Sequence, residues 1–289
     1  MAREIRNPEP IVVQLGEENK NQKMADIKYI VPFTLKWEGG LANAKTDTAS
    51  KNPSPWNWTD PKTKVTAPAH TNKGVTYAAF KSAADKYGFA NTQDNFFKMP
   101  DDIWLKITKG GYWDKLNMDA VKSQAVANVI FSWQWGSGYA WVPRVSKYLA
   151  TKGISWTGGN WVGKSFKVAG DFNQISTKLN ELISKVGEKQ AVDDLLQQKK
   201  EFLLSLSQAP TGPNPNGVYT KGWLNRLADL QKYNYSLLGQ SVTNSINSTI
   251  NDINTTTEVV KKNPMKIALL LAATIVGIVL LNKALKKQK

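Results

Sequence analysis

Residues 119–135, DAVKSQAVANVIFSWQW, set Val121, Ala125, Val126, Val129, Ile130 and Trp133 at the three- and four-residue intervals of a helix with a wide buried face. A helix that apolar belongs inside a core. On its N-terminal side, Val75–Tyr87 reads as a helix closed by Gly88, and Asp101–Lys109 as one that starts after Pro100 and stops before Gly110-Gly111. On its C-terminal side the helical pattern runs from Asn173 to Leu206, with Gly187 as a point of division. QAPTGPNPNG at 208–217 is loop chemistry, and a last helix is expected over Lys221–Tyr235. No strand pattern longer than a few residues competes, so the expected fold is mainly α.

The chain has 289 residues, 41% hydrophobic and 21% charged, which is enough for a sizeable core. It has no cysteine and one histidine, His70. Thiol nucleophiles, disulfides and zinc sites built on several Cys or His ligands are therefore excluded, and no metal or cofactor is expected. Without a Gly-x-Ser-x-Gly elbow, hydrolytic chemistry would have to rest on carboxylates. The net charge is +15, from 38 basic and 23 acidic residues, and it suits an anionic partner. The lysines are scattered without a reading motif, so nucleic acid is not the expected one.

Much of the excess charge surrounds one segment, Ile267–Leu281, IALLLAATIVGIVLL, with Lys266 and Lys283 at its borders. It reads as a single-pass C-terminal membrane anchor, with a buried core helix as the alternative. The expected organisation is an N-terminal arm over 1–26, a first globular domain over 27–150 and a helical extension over 151–236. A polar spacer or stalk over 237–264, a transmembrane helix over 265–285 and a basic tail over 286–289 complete it. Ile246, Ile253 and Val260 repeat at seven within the spacer, which would let a stalk helix seat on a second copy or another protein. The N-terminus has no continuous apolar core and is not a secretory signal.

Chemistry concentrates between Lys36 and Thr76. Glu38 falls at the expected end of a helix, in Pro32-Phe33-Thr34-Leu35-Lys36-Trp37-Glu38-Gly39-Gly40, beside Trp37 and a double glycine. A carboxyl against apolar surface is disfavoured in its charged form and can serve as a general acid. Asp47 follows nine positions later, and Asp60 is an alternative second carboxylate within residues 48–70. Glycosidic cleavage needs such a pair, one group to protonate the leaving oxygen and one to activate water or stabilise the cationic ring. Trp56 and Trp58, flanked by Pro, Asn and Asp, and Trp135 near Gly136 are candidates to stack on sugar rings, whereas Trp133 belongs to the core. His70 reads as a loop histidine rather than a catalyst.

PFTLKWEGG at 32–40, Asp47 and Thr71-Asn72-Lys73-Gly74-Val75-Thr76 together resemble the opening of glycoside hydrolase family 108, the phage and bacterial muramidases. Tyr112-Trp113-Asp114, Val126-Ala127-Asn128 and Trp133-Gln134-Trp135-Gly136-Ser137-Gly138 continue the resemblance. Gly222-Trp223-Leu224-Asn225-Arg226-Leu227 is similar to the close of the peptidoglycan-binding region that usually follows. The resemblance covers about residues 28–235 and departs from the family pattern at 48–70, which intervene before Thr71. It implies a lysozyme-like α+β catalytic domain over 27–150 and a peptidoglycan-binding region over 151–236, with Glu38 as general acid, Asp47 as the water-positioning or cation-stabilising carboxylate, Thr71 as a hydrogen-bonding partner of the water, and Tyr112 among the substrate-binding residues. The implied partner is the peptidoglycan glycan strand, cut at the β-1,4 bond after N-acetylmuramic acid. Joined to the expected anchor, this points to a membrane-held lysis or virion-associated enzyme. A lytic transglycosylase and a wall-binding or virion structural protein without activity are the alternatives.

Overall fold

The structure, a computed structural model, describes residues 24–45, 47–207 and 219–239. Nine helices dominate these residues: α1 Val31–Trp37, α2 Tyr77–Tyr87, α3 Gln93–Lys98, α4 Asp101–Thr108, α5 Gln124–Ser137, α6 Val142–Thr151, α7 Ile175–Val186, α8 Glu188–Ser207 and α9, residues 219–239. A π-turn, Lys109–Trp113, extends α4. Three antiparallel two-stranded sheets accompany them: β1 Asn57–Thr59 with β2 Thr66–Pro68, β3 Thr71–Asn72 with β4 Val75–Thr76, and β5 Gly159–Val162 with β6 Ser165–Val168.

The central helix begins later than the pattern implied. Ser123 Oγ accepts from the Val126 N–H and caps α5 at Gln124, while residues 118–120 form a 3-10 turn. A side-chain cap thus divided a continuous apolar pattern. Gly187 separates α7 from α8 with φ +84, a left-handed conformation open to glycine at little cost.

Two apolar clusters organise the chain. The larger packs α1, α5, α6, α7 and α8 around Trp113, Ile130, Phe131, Trp133, Trp141 and Leu195. The smaller lies under the first two hairpins and joins α2, α3 and α4 through Phe80, Phe96, Met99 and Trp104. Val31 and Trp135 touch both clusters, so α1 and the end of α5 form the seam between them.

The expected membrane helix and single-pass localisation are corrected. Among the described residues no helix is long and apolar enough to cross a membrane. The run 267–281 lies outside the described residues. Its physical weakness as a span is its length, because fifteen residues of helix cover about 22 Å against a hydrocarbon core of about 30 Å. Among the described residues the fold class is therefore mainly helical with three small sheets and no membrane-spanning helix, and the expected lipid partner is not supported. Most of the N-terminal arm and of the spacer, including its heptad-like repeat, and the basic tail also lie outside the described residues.

Candidate active site

Residues 31–37 form α1 because Pro32 suits a first turn, whose N–H groups have no helical partner, and Phe33 and Thr34 turn inward. The helix ends at Glu38, whose backbone is extended at φ −88°, ψ 135°. Neither Gly39 nor Gly40 has a left-handed φ, and a side chain at either would meet nothing within 4 Å. The double glycine is thus bordered by open space and makes no turn that requires it.

Glu38 is only 13% exposed, and its two oxygens have different neighbours. Oε1 accepts from Trp135 Nε1 at 2.7 Å and pairs with Arg226 Nη1 of α9 at 2.8 Å. Among the described residues Oε2 has no hydrogen-bond partner, and it lies against Gly74. Apolar surface was the setting expected from Trp37; the structure adds an indole N–H and a guanidinium on one oxygen. Trp37 itself turns aside, donating from Nε1 to Asp229 at 2.8 Å.

Gly74 is the second wall. Lys73 and Gly74 have φ 44° and 75°, the paired positive values of a type I′ hairpin turn between β3 and β4. A methyl on Gly74 would sit 2.8 Å from Glu38 Cδ and 2.9 Å from Trp135 Cζ2, so only glycine fits. The hairpin is fixed from behind. Asn72 Nδ2, buried, donates to the carbonyls of Phe96 at 2.8 Å and Phe97 at 2.9 Å, and Trp104 Nε1 donates to Lys73 O at 3.0 Å.

At the base of that hairpin, Thr71 Oγ1 is 2.9 Å from His70 Nδ1. His70 Nε2 faces Ala44 O at 3.1 Å. A carbonyl only accepts, so Nε2 carries the hydrogen; in the neutral ring Nδ1 then accepts and the Thr71 hydroxyl donates to it. His70, buried at 1% exposure, thereby orients Thr71 and ties it to the loop leading to Asp47. Sequence reading missed this role, although adjacency to Thr71 was the available signal.

Asp47 is exposed and caps the 3-10 turn Thr48–Lys51, its Oδ1 accepting from Ala49 N at 2.9 Å. Asp60 lies in the turn between β1 and β2, where the Lys62 N–H holds its carboxyl below the ordinary value. Trp58 is part-buried in β1, and Trp56 packs edge-on to Tyr77 and beside Phe96 and Phe97. The Trp56 ring is thus used in the smaller cluster, not spread on the surface. The segment 48–70 folds back because Asn43 Nδ2 donates to both Trp58 O and Val65 O.

Trp135 meets Tyr112 edge-on at 4.8 Å between centroids. Burial raises the Tyr112 phenol above its ordinary value, and the nearby Tyr139 and Glu38 add to this. On the far side, α9 carries two charges that sequence reading did not assign: Arg226, and Asp229, which also pairs with Lys36 at 2.6 Å. The Lys36 hydrogen bond holds the Asp229 carboxyl below its ordinary value against the opposing effect of burial. Near Arg226 lies Lys199, buried, with its Nζ 2.8 Å from Ser132 Oγ. Burial and then Arg226 push Lys199 well below the ordinary lysine value. Among the described residues no cluster of His, Asp or Glu could hold a metal ion.

Residues 31–138 match the family model described as Glycosyl hydrolase 108. The span holds Glu38, the hairpin 71–76, Tyr112 and Trp135, and it stops short of α9. The family that this span matches is one of glycoside hydrolases. No curated protein matches the chain. Among solved structures, SagA of Brucella abortus is 16% identical, with a TM-score of 0.45 over 73% of this chain and 94% of that one.

Proposed function

From the match of residues 31–138 to the glycosyl hydrolase 108 model, we propose that the protein hydrolyses peptidoglycan as an N-acetylmuramidase, cutting the β-1,4 bond after N-acetylmuramic acid. The observation that carries this reading is the asymmetry of Glu38. Its Oε1 is occupied by Trp135 and Arg226, and its Oε2, without a hydrogen-bond partner among the described residues, lies against Gly74.

Oε2 is then the atom that carries the proton. It passes that proton to the bridging oxygen as the bond to the sugar C1 breaks. Arg226 and Trp135 are positioning residues that hold the carboxyl by its other oxygen. Asp47 serves as the carboxylate that positions water or stabilises the cationic ring. Thr71, its hydroxyl hydrogen directed to His70, offers Oγ1 lone pairs to a hydrogen of the attacking water. Trp58, Trp135 and Tyr112 supply aromatic surface for sugar rings, while Trp56 contributes from within the smaller cluster.

Glu38→Gln tests the assignment, since a positioned acid contributes on the order of 100- to 10,000-fold. Wild-type protein should clear a peptidoglycan zymogram and the variant should not. Equal clearing by both would remove Glu38 from the chemistry. Product masses test the bond: hydrolysis adds one water, and an anhydro product would convert the reading to transglycosylation.

A further inference from the structure

The geometry points to a second binding site beside the acid, and we propose that it takes the carboxylate-bearing peptide stem of the wall polymer. The inference rests on the peptidoglycan reading above and extends it from glycan to peptide. A cleft of ≈ 360 Å³ opens between α2 and the segment 107–115, a volume suited to a small ligand. Tyr87, Tyr112 and Tyr139 line it together with Ser82, and Lys86 and Lys115 stand on its border.

No Asp or Glu lines this cleft. Among the described residues neither Lys86 nor Lys115 forms an ion pair, and Lys86 Nζ rests 4.9 Å from the Tyr87 ring centroid. The contrast is Lys109, close by in sequence, which is held by Asp114 and by Asp119 at 3.0 Å. Lys109 is neutralised by its own protein; Lys86 and Lys115 are not. Their field is open to an anion entering the cleft.

Position names the anion. Tyr112 lines the cleft and also meets Trp135 at 4.8 Å, and Trp135 donates to Glu38, so the cleft starts one ring away from the acid. N-acetylated sugars carry no charge and give an ammonium no ionic partner. The peptide on the lactyl group of muramic acid does: it hangs from the sugar next to the bond that is cut, and it ends in free carboxylates. Its alanine methyls suit the tyrosine faces, and its carboxylates suit the lysines through charge-assisted hydrogen bonds.

The experiment compares two substrates on full-length protein: intact peptidoglycan, and the same strands stripped of peptide by an amidase that cuts at the lactyl group. Release of new reducing ends is followed for wild type, Lys86→Gln/Lys115→Gln and Lys86→Arg/Lys115→Arg. Wild type should prefer intact wall by on the order of tenfold, the sum of two modest charge-assisted contacts. The Gln pair should lose that preference with its rate on stripped strands unchanged, and the Arg pair should keep it. A Gln pair that retains the preference, or slows equally on both substrates, overturns the proposal. If wild type cuts neither substrate, the muramidase reading has failed instead, a result distinct from any loss of preference.

Discussion

Two segments reach Glu38, and they do so by different physics. The hairpin 71–76 arrives as backbone, shaped by a type I′ turn and tied by buried, uncharged hydrogen bonds from Asn72 and Trp104. Helix α9 arrives as charge, with Arg226 on Oε1 and Asp229 on Lys36, whose side chain is 64% exposed. A wall made of backbone and sterics is indifferent to salt and responds to pH only if the protein unfolds. A wall made of partly exposed ion pairs can be weakened without touching the rest. The candidate acid is therefore bounded by backbone on its Oε2 side and held on its Oε1 side by an indole N–H and a largely buried ion pair, with the exposed Lys36–Asp229 pair beyond it.

Gly74→Ala should break the backbone side and give the largest effect. The methyl combines a strained φ of +75° with overlap on the acid. A displacement of that kind costs on the order of 100-fold in activity and about 2 kcal/mol in stability. Turbidity clearing and thermal melting measure both, and near-normal values would show that the hairpin yields. Arg226→Met should be milder, on the order of tenfold in activity, because Trp135 still holds Oε1. Arg226→Lys should recover only part of the loss, since an ammonium lacks the planar fork; full recovery would reduce Arg226 to a plain charge.

The smallest effect is expected at Asp229. Its carboxyl is held below the ordinary value of 3.8, so it binds fewer protons folded than unfolded. Its stabilisation is thus fully present above that value and is lost as pH falls through the lowered one. Asp229→Asn should cost about 0.5 kcal/mol at neutral pH, and its melting temperature should converge on that of wild type in strong acid. A gap that persists there would locate the cost in the Trp37 hydrogen bond rather than in charge.

The same contrast decides what could be read from sequence. Glu38 is a short contiguous signal, a carboxyl at a helix end, whereas 71–76 was legible only as a stretch resembling the family's, with Val75 and Thr76 expected in the helix that in fact starts at Tyr77. Arg226 and Asp229 sit in a helix expected from periodicity, but no local pattern encodes contact with residues 36–38. Trp56 has Pro and Asn neighbours that read as surface, and the fold-back through Asn43 adds a packing contact of its ring with Phe96 and Phe97 that no local pattern encodes. Helix α6 was passed over although Val142, Val145 and Leu149 mark a buried stripe after Trp141 and Pro143 lies in its first turn. The apolar run at 267–281 read as an anchor from composition alone, with no fold to weigh against it.

One separation in sequence has a consequence for how the enzyme comes into being. Lys36 and Trp37 meet Asp229 across 193 and 192 positions. On the ribosome, the hairpin and the acid can assemble while α9 is still unmade, because contacts this distant close only after the intervening chain has emerged. The nascent chain thus passes through a stage with its acid held by Trp135 alone, and α9, which follows the other described helices, completes the electrostatic setting.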